Sequence, residues 1–105
     1  MTKHVLSIGL LDKDTKKQEI KTEDALALIQ CKCFEMTSGS TIIPNCIGVY
    51  THDNGEKVIE PSIRCEFYGE NIKTIKQLAK ILCKELNQES ISLESIEIYT
   101  EFIEL

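Results

Sequence analysis

A chain of 105 residues is long enough for one domain of ordinary size and too short for two, so we expect residues 1–105 to form a single domain. Its residues are 42% hydrophobic and 28% charged, as in globular proteins, which excludes wholesale disorder. Twelve basic residues against seventeen acidic residues give a net charge of −5. This charge excludes a general binder of phosphate backbones, and we expect no direct contact with nucleic acid.

The compartment is indicated by the N-terminus and by the cysteines. No cationic segment followed by an apolar stretch opens the chain, so we expect no signal peptide. No apolar run approaches the roughly 18 residues of a membrane-spanning helix. An odd number of cysteines without a secretory signal is typical of reduced thiols, and we expect a cytoplasmic protein. The five are Cys31, Cys33, Cys46, Cys65 and Cys83.

The first third of the chain predicts a strand followed by a helix. Apolar and polar residues alternate from Lys3 to Leu11, which is the period of a strand. A polar loop follows, and Thr22 is a suitable N-cap for a helix from about Glu23 to Phe34.

Two strands and a tight turn come next. Residues 41–51 and 57–68 are rich in β-branched residues, and Asn54-Gly55 between them is typical of a hairpin turn. A two-residue loop at Asn54-Gly55 would pair Thr51 with Val58. In that register Ile47 and Val49 lie on the side of the sheet away from the core, while Cys46 and Cys65 share the buried side.

The last third predicts a helix and a fourth strand. Asn71 is the expected N-cap, and apolar residues then recur every three or four positions as far as Leu86. Residues 93–105 alternate as in a strand. The order β-α-β-β-α-β predicts an α+β fold of the ferredoxin-like type. Its antiparallel sheet would have the order 4-1-3-2, with both helices on one face.

Four short segments resemble a known group of proteins. They are Gly48-Val49-Tyr50, Asn54-Gly55, Glu60-Pro61-Ser62 and the stretch from Leu86 to Ile91. Together they resemble small bacterial and phage-associated proteins of ferredoxin-like fold. The resemblance implies that fold and a cytoplasmic or mobile-element setting, and it implies no reaction.

The open face of the predicted sheet is the expected site of function. Apolar side chains on a solvent-facing sheet surface indicate an interface. We therefore expect a non-enzymatic module that binds a protein partner or forms a homodimer. The residues expected at this interface are Val5, Ile47, Val49, Val58, Glu60, Arg64 and Tyr99.

Charge along the chain suggests a second function. After Lys84 the sequence contains no basic residue and six glutamates. An acidic fourth strand at the sheet edge could dock on a basic nuclease or effector, as expected of a phage-type inhibitor of host defence.

Loops at one end of the fold suggest a third function. The topology would bring together Asp12, Asp14, His52, Asp53 and Glu89. Such a cluster could bind a small ligand or a hard divalent cation, and its carboxylates would raise one another's pKa values. The association module itself requires no metal and no cofactor. Cys31 and Cys33 would point apart on a helix, so they do not form a metal-binding pair.

Overall fold

The computed structural model describes all 105 residues. Its elements are β1 (Thr2–Gly9), α1 (Thr22–Met36), β2 (Thr41–Thr51), β3 (Lys57–Tyr68), α2 (Ile72–Glu85) and β4 (Ser92–Glu97). All strand pairs are antiparallel, in the order β2-β3-β1-β4, which is the predicted order read from the other edge. The predicted ferredoxin-like fold is therefore confirmed. Neither helix has the length and apolar character needed to cross a bilayer.

One face of the sheet and the two helices enclose the core. Leu6 and Ile8 of β1 and Phe67 of β3 are fully buried there, together with Ile29 of α1 and Leu82 of α2. Each such side chain contributes about 1.5–3 kcal/mol relative to exposure. The opposite face of the sheet carries no helix and is called the open face below.

The two helices begin differently. The side chain of Asn71 accepts a hydrogen bond from the backbone N–H of Lys73 at 2.8 Å, which confirms the predicted cap of α2. The cap of α1 is Lys21 and makes no side-chain bond. Thr22 is already the first helical residue, and its hydroxyl accepts from the Gln18 amide at 2.9 Å. The prediction of Thr22 as the cap is therefore wrong.

The hairpin between β2 and β3 has a longer loop than the sequence suggested. The N–H of His52 donates to the carbonyl of Glu56 at 2.8 Å, so residues 53–55 form a three-residue loop. Gly55 has φ 86, the left-handed conformation that closes loops of this length. Thr51 consequently pairs with Lys57 instead of Val58.

This shift of one residue moves side chains to the other side of β2. Val49 lies opposite Ile59 and Ile47 opposite Pro61, on the side of the sheet that faces the helices. The predicted position of Ile47 and Val49 on the open face is therefore wrong.

A β-bulge restores the expected alternation in the first part of β2. The bulge lies between Ile43 and Cys46 and includes Asn45, whose φ is 60. On the hairpin side of the bulge, the register set by the three-residue loop places Cys46 on the open face, while Cys65 is buried in the core. The predicted register required these two cysteines to be neighbours on the buried face, and this prediction is therefore wrong.

The fourth strand ends eight residues before the expected position. β4 stops at Glu97, and the last backbone bond joins Ile98 N–H to the carbonyl of Met1 at 2.8 Å. Residues 99–105 make no pair with the neighbouring strand β1, whose first residue is Thr2. Tyr99 is therefore 85% exposed in a tail and does not lie on the open face.

Candidate functional site

A cavity of about 700 Å³ lies over the open face. Its floor is formed by Ser7 and Gly9 of β1, and Tyr50 and Glu60 of the hairpin stand beside them. The loop after β1 and residues 88–92, which follow α2, form the remaining wall. Its volume is within the range of about 300–1,000 Å³ that holds small molecules and cofactors.

Glu60 is held in a fixed position at the cavity floor. Its Oε2 accepts a hydrogen bond from the backbone N–H of Leu11 at 2.9 Å. A Cβ added at Gly9 would collide with the Glu60 carboxylate. Glycine at position 9 therefore lets this carboxylate lie directly against the backbone of β1.

The carbonyl group of Leu11 is held by the side chain of Gln88. This side chain is 8% exposed, and its Nε2 donates to the carbonyl of Leu11 at 2.8 Å. Leu11 is thus bonded to Glu60 through its N–H and to Gln88 through its C=O. These bonds join the segment that follows β1 to β3 and to the segment that follows α2, which stabilises the wall of the cavity.

Tyr50 supplies an aromatic side chain beside this carboxylate. Burial raises the pKa of Tyr50, and the negative charges of Glu60, Glu89 and Glu56 raise it further. Its ring meets the ring of His52 edge to face, with centroids 5.2 Å apart and planes at 85°. The part of the cavity around Tyr50 therefore combines three negative charges with an aromatic wall, which suits a cationic group on a ligand that also carries a flat ring.

The acidic residues of the loop after β1 are already satisfied by protein groups. Nδ2 of Asn87 donates to Asp12 and to Asp14, at 2.9 Å in each case. This amide and the backbone N–H groups of Thr15 and Asp14 lower the pKa of Asp12. The expectation that mutual repulsion raises the pKa of this carboxyl is therefore wrong, because hydrogen-bond donors to the charged form outweigh the repulsion.

The predicted loop cluster is only partly brought together. Asp12, His52 and Glu89 line the cavity, whereas Asp14 and Asp53 do not. No group of three or more histidine, cysteine, aspartate or glutamate side chains is arranged to hold a metal ion.

The predicted interface is also divided by the structure. Val58, Glu60 and Arg64 lie on the open face, and Arg64 Nε contacts Glu66 Oε2 at 3.3 Å. Val5 lies on the same face, since it alternates with the core residue Leu6, but it is fully buried. Val5 therefore cannot serve as an exposed apolar anchor.

Sequence reasoning missed Tyr50, Gly9 and Glu56 as cavity residues. Tyr50 was missed because a two-residue loop places it on the buried side of the hairpin. The signal that was available is the triplet Asp53-Asn54-Gly55, since a three-residue loop also takes glycine at its last position.

No protein-family model and no curated protein matches the sequence. Solved structures do match the fold. A phage SAM lyase in complex with S-methyl-5'-thioadenosine has a TM-score of 0.69 and 21% identity, over 91% of this chain and 80% of that chain. The apo state of a phage SAM lyase has a TM-score of 0.67 and 22% identity, over 98% and 92% of the two chains.

Two bacterial proteins are more distant. A DUF3240 family protein from Shewanella baltica OS155 has a TM-score of 0.56 and 9% identity, over 99% of this chain and 97% of that chain. CutA from Xylella fastidiosa has a TM-score of 0.54 and 12% identity, over 95% and 86%. At such identities the likeness establishes the ferredoxin-like fold, which a phage protein shares with this chain.

Proposed function

We propose that the cavity on the open face binds S-adenosylmethionine or its thioadenosine product, and that the chain is a lyase that breaks the bond from sulfur to Cγ of the amino-acid moiety. The electron pair of that bond stays on sulfur, and the α-carboxylate of the same molecule takes its place on Cγ, so that a lactone leaves with S-methyl-5'-thioadenosine. The observation that carries the proposal is the Glu60 carboxylate, fixed against β1 at the floor of a cavity of about 700 Å³. The similarity to a phage SAM lyase that binds S-methyl-5'-thioadenosine supports this choice of ligand.

The chemistry of the cavity suits each part of S-adenosylmethionine. Its sulfonium is a cation, which the carboxylates of Glu60, Glu56 and Glu89 would stabilise. Its adenine is a flat ring, for which Tyr50 and His52 offer aromatic surfaces.

The polar groups of the ligand also have counterparts. Hydroxyl groups of the ribose can bond to serines that line the cavity, such as Ser62 and Ser92. The carboxylate of the amino-acid moiety can pair with Lys13 or Lys16, which lie in the wall after β1. The cavity therefore presents opposite charges at different places, as a zwitterionic amino acid joined to a nucleoside requires.

Incubation of the protein with S-adenosylmethionine, followed by chromatography, tests the proposal. We expect S-methyl-5'-thioadenosine to accumulate with the wild type and to be lost with Glu60→Gln, which removes the charge at nearly constant shape. Lys80→Gln on the exposed face of α2 is the matched control and should keep the activity. Failure of the wild type both to form the product and to bind it would contradict the proposal.

A further inference from the structure

Three apolar side chains of the hairpin are exposed together. Ile47, Val49 and Ile59 are each 72% exposed, and Val49 lies directly opposite Ile59 in the pairing of β2 with β3. They lie on the side of the sheet that carries the helices, yet neither helix covers them. We call these three residues the hairpin patch. Single exposed apolar residues are ordinary, but an adjacent group of large ones indicates a contact surface.

A second exposed apolar surface follows β4. In residues 99–105, which we call the tail, Tyr99 is 85% exposed, Phe102 77% and Ile103 82%. Glu101 precedes Phe102 and accepts a hydrogen bond from the Tyr99 hydroxyl, and Glu104 follows Ile103. Neither carboxylate makes an ion pair. The tail is therefore an exposed apolar segment with two carboxylates that no basic group neutralises.

The two surfaces lie at opposite ends of one molecule. The tail leaves the sheet beside Met1, at the start of β1, whereas the hairpin patch lies beyond Ser62, which pairs with Gly9 at the end of β1. The eight residues of β1 separate these points by roughly 26 Å at about 3.3 Å per residue.

They also lie at opposite edges of the sheet. β2 and β4 are its two edge strands, with β3 and β1 between them, and the longest dimension of the molecule is 49 Å. The tail of one chain therefore cannot cover the hairpin patch of the same chain.

We propose that the tail of one copy docks on the hairpin patch of a second copy. Both surfaces are apolar, and Lys57, which lies on the same side of β3 as Ile59, supplies a positive charge for Glu101 or Glu104. Such a contact joins two different surfaces, so it repeats head to tail and produces a closed ring or an open chain. The proposal does not depend on the ligand of the open face.

Sedimentation of two full-length variants tests this contact. Val49→Glu places a charge in the hairpin patch, and the double substitution Phe102→Glu with Ile103→Glu does the same in the tail. We expect the wild type to associate at high micromolar concentration and each variant alone to be monomeric. Phe34→Glu on α1, where the side chain is 89% exposed, is the matched control and should associate like the wild type.

A mixture of the two variants gives the sharper result. The first variant keeps an intact tail and the second keeps an intact hairpin patch, so one contact remains possible between them. We expect an equimolar mixture to form a one-to-one dimer with twice the monomer mass. A monomeric wild type, association of either variant alone, or a mixture that stays monomeric would overturn the proposal. Circular dichroism of each variant verifies that it is folded.

Discussion

The carboxylate of Glu60 lies against the backbone of Gly9, in the space that any other residue at position 9 would fill with a Cβ. This contact brings Oε2 within 2.9 Å of the Leu11 N–H and holds a negative charge on the open face. An unremarkable glycine in the first strand thus determines where the acidic group of the cavity lies.

Substitution of Gly9 by alanine tests this relationship. We expect Gly9→Ala to displace the Glu60 carboxylate and to break its bond to Leu11, because the new Cβ occupies the same space. Loss of one such bond costs about 1 kcal/mol of unfolding free energy. Denaturant unfolding measures this change. Gly39→Ala is the control, since a Cβ there meets nothing within 4 Å, and an equal loss in that variant would contradict the explanation.

The acidity of Tyr50 reports on its neighbour Glu60. Burial raises the pKa of Tyr50 above its ordinary value of 10.0, and the Glu60 charge is the next largest cause. We therefore expect Glu60→Gln to lower the pKa of Tyr50 while leaving it above 10.0. An NMR titration with labelled tyrosine separates Tyr50 from Tyr68 and Tyr99. An unchanged Tyr50 titration would show that the two groups are not adjacent.

The turn after α2 predicts a specific response to acid. Asn87 has φ 48, which glycine also adopts, so Asn87→Gly removes the amide donor without straining the backbone. In the wild type the pKa of Asp12 is lowered from its ordinary value of 3.8, chiefly by this amide. The contribution of ionised Asp12 to the free energy of unfolding is fully present above pH 3.8. It is lost as the pH falls through the lowered pKa of Asp12.

We therefore expect Asn87→Gly to raise the pKa of Asp12 towards 3.8 and to make the loss of stability in acid shallower. A carboxyl carbon NMR titration of Asp12 measures the first effect, and unfolding at several pH values measures the second. Asn45→Gly is the control, because Asn45 also has a positive φ but does not bond to Asp12.

Thiol labelling distinguishes the exposed cysteine of α1 from the buried ones. Cys31 is exposed, whereas Cys33 and Cys65 are buried, so Cys31 should be modified before these two in the native state. Its Sγ donates to Glu35 Oε1 at 3.3 Å, and that carboxylate raises the pKa of the Cys31 thiol. Because the thiolate is the reactive form, we expect Glu35→Gln to accelerate labelling of Cys31. Slower labelling would contradict this account.

Much of the fold could be predicted from residue patterns because β3 and the two helices each bury one regular face. Ile75, Leu78 and Leu82 of α2 repeat at helical spacing, and all three are buried. The hairpin could not be predicted as well, since two-residue and three-residue loops both accept Asn54-Gly55 and differ by one position in register. That single position decides whether Val49 or Tyr50 lies on the open face.

The site was harder to predict than the fold for a related reason. Residues that follow strands and helices, such as Asp12 and Glu89, can be placed near one another from topology alone. The bond between Asn87 and Asp12 depends on a left-handed residue after α2, which no periodic pattern indicates. The contact of Glu60 with Gly9 depends on the register of β1 against β3, in which Gly9 pairs with Ser62, and the alternation of residues alone does not give that register.

Amide NMR spectra recorded during a titration with S-methyl-5'-thioadenosine test the central claim most directly. We predict saturable shifts at Gly9 and Leu11, which lie beside the Glu60 carboxylate, and at Gly48, which lines the same cavity. Signals from the exposed face of α2 should not change. Because the sulfonium of S-adenosylmethionine is the charge that Glu60 would stabilise, we expect Glu60→Gln to weaken binding of S-adenosylmethionine roughly tenfold or more, a loss of about 1.4 kcal/mol. Binding of S-methyl-5'-thioadenosine, which lacks this charge, should weaken less. The absence of saturable shifts, or shifts confined to the helices, would contradict the assignment of the open face as the ligand site.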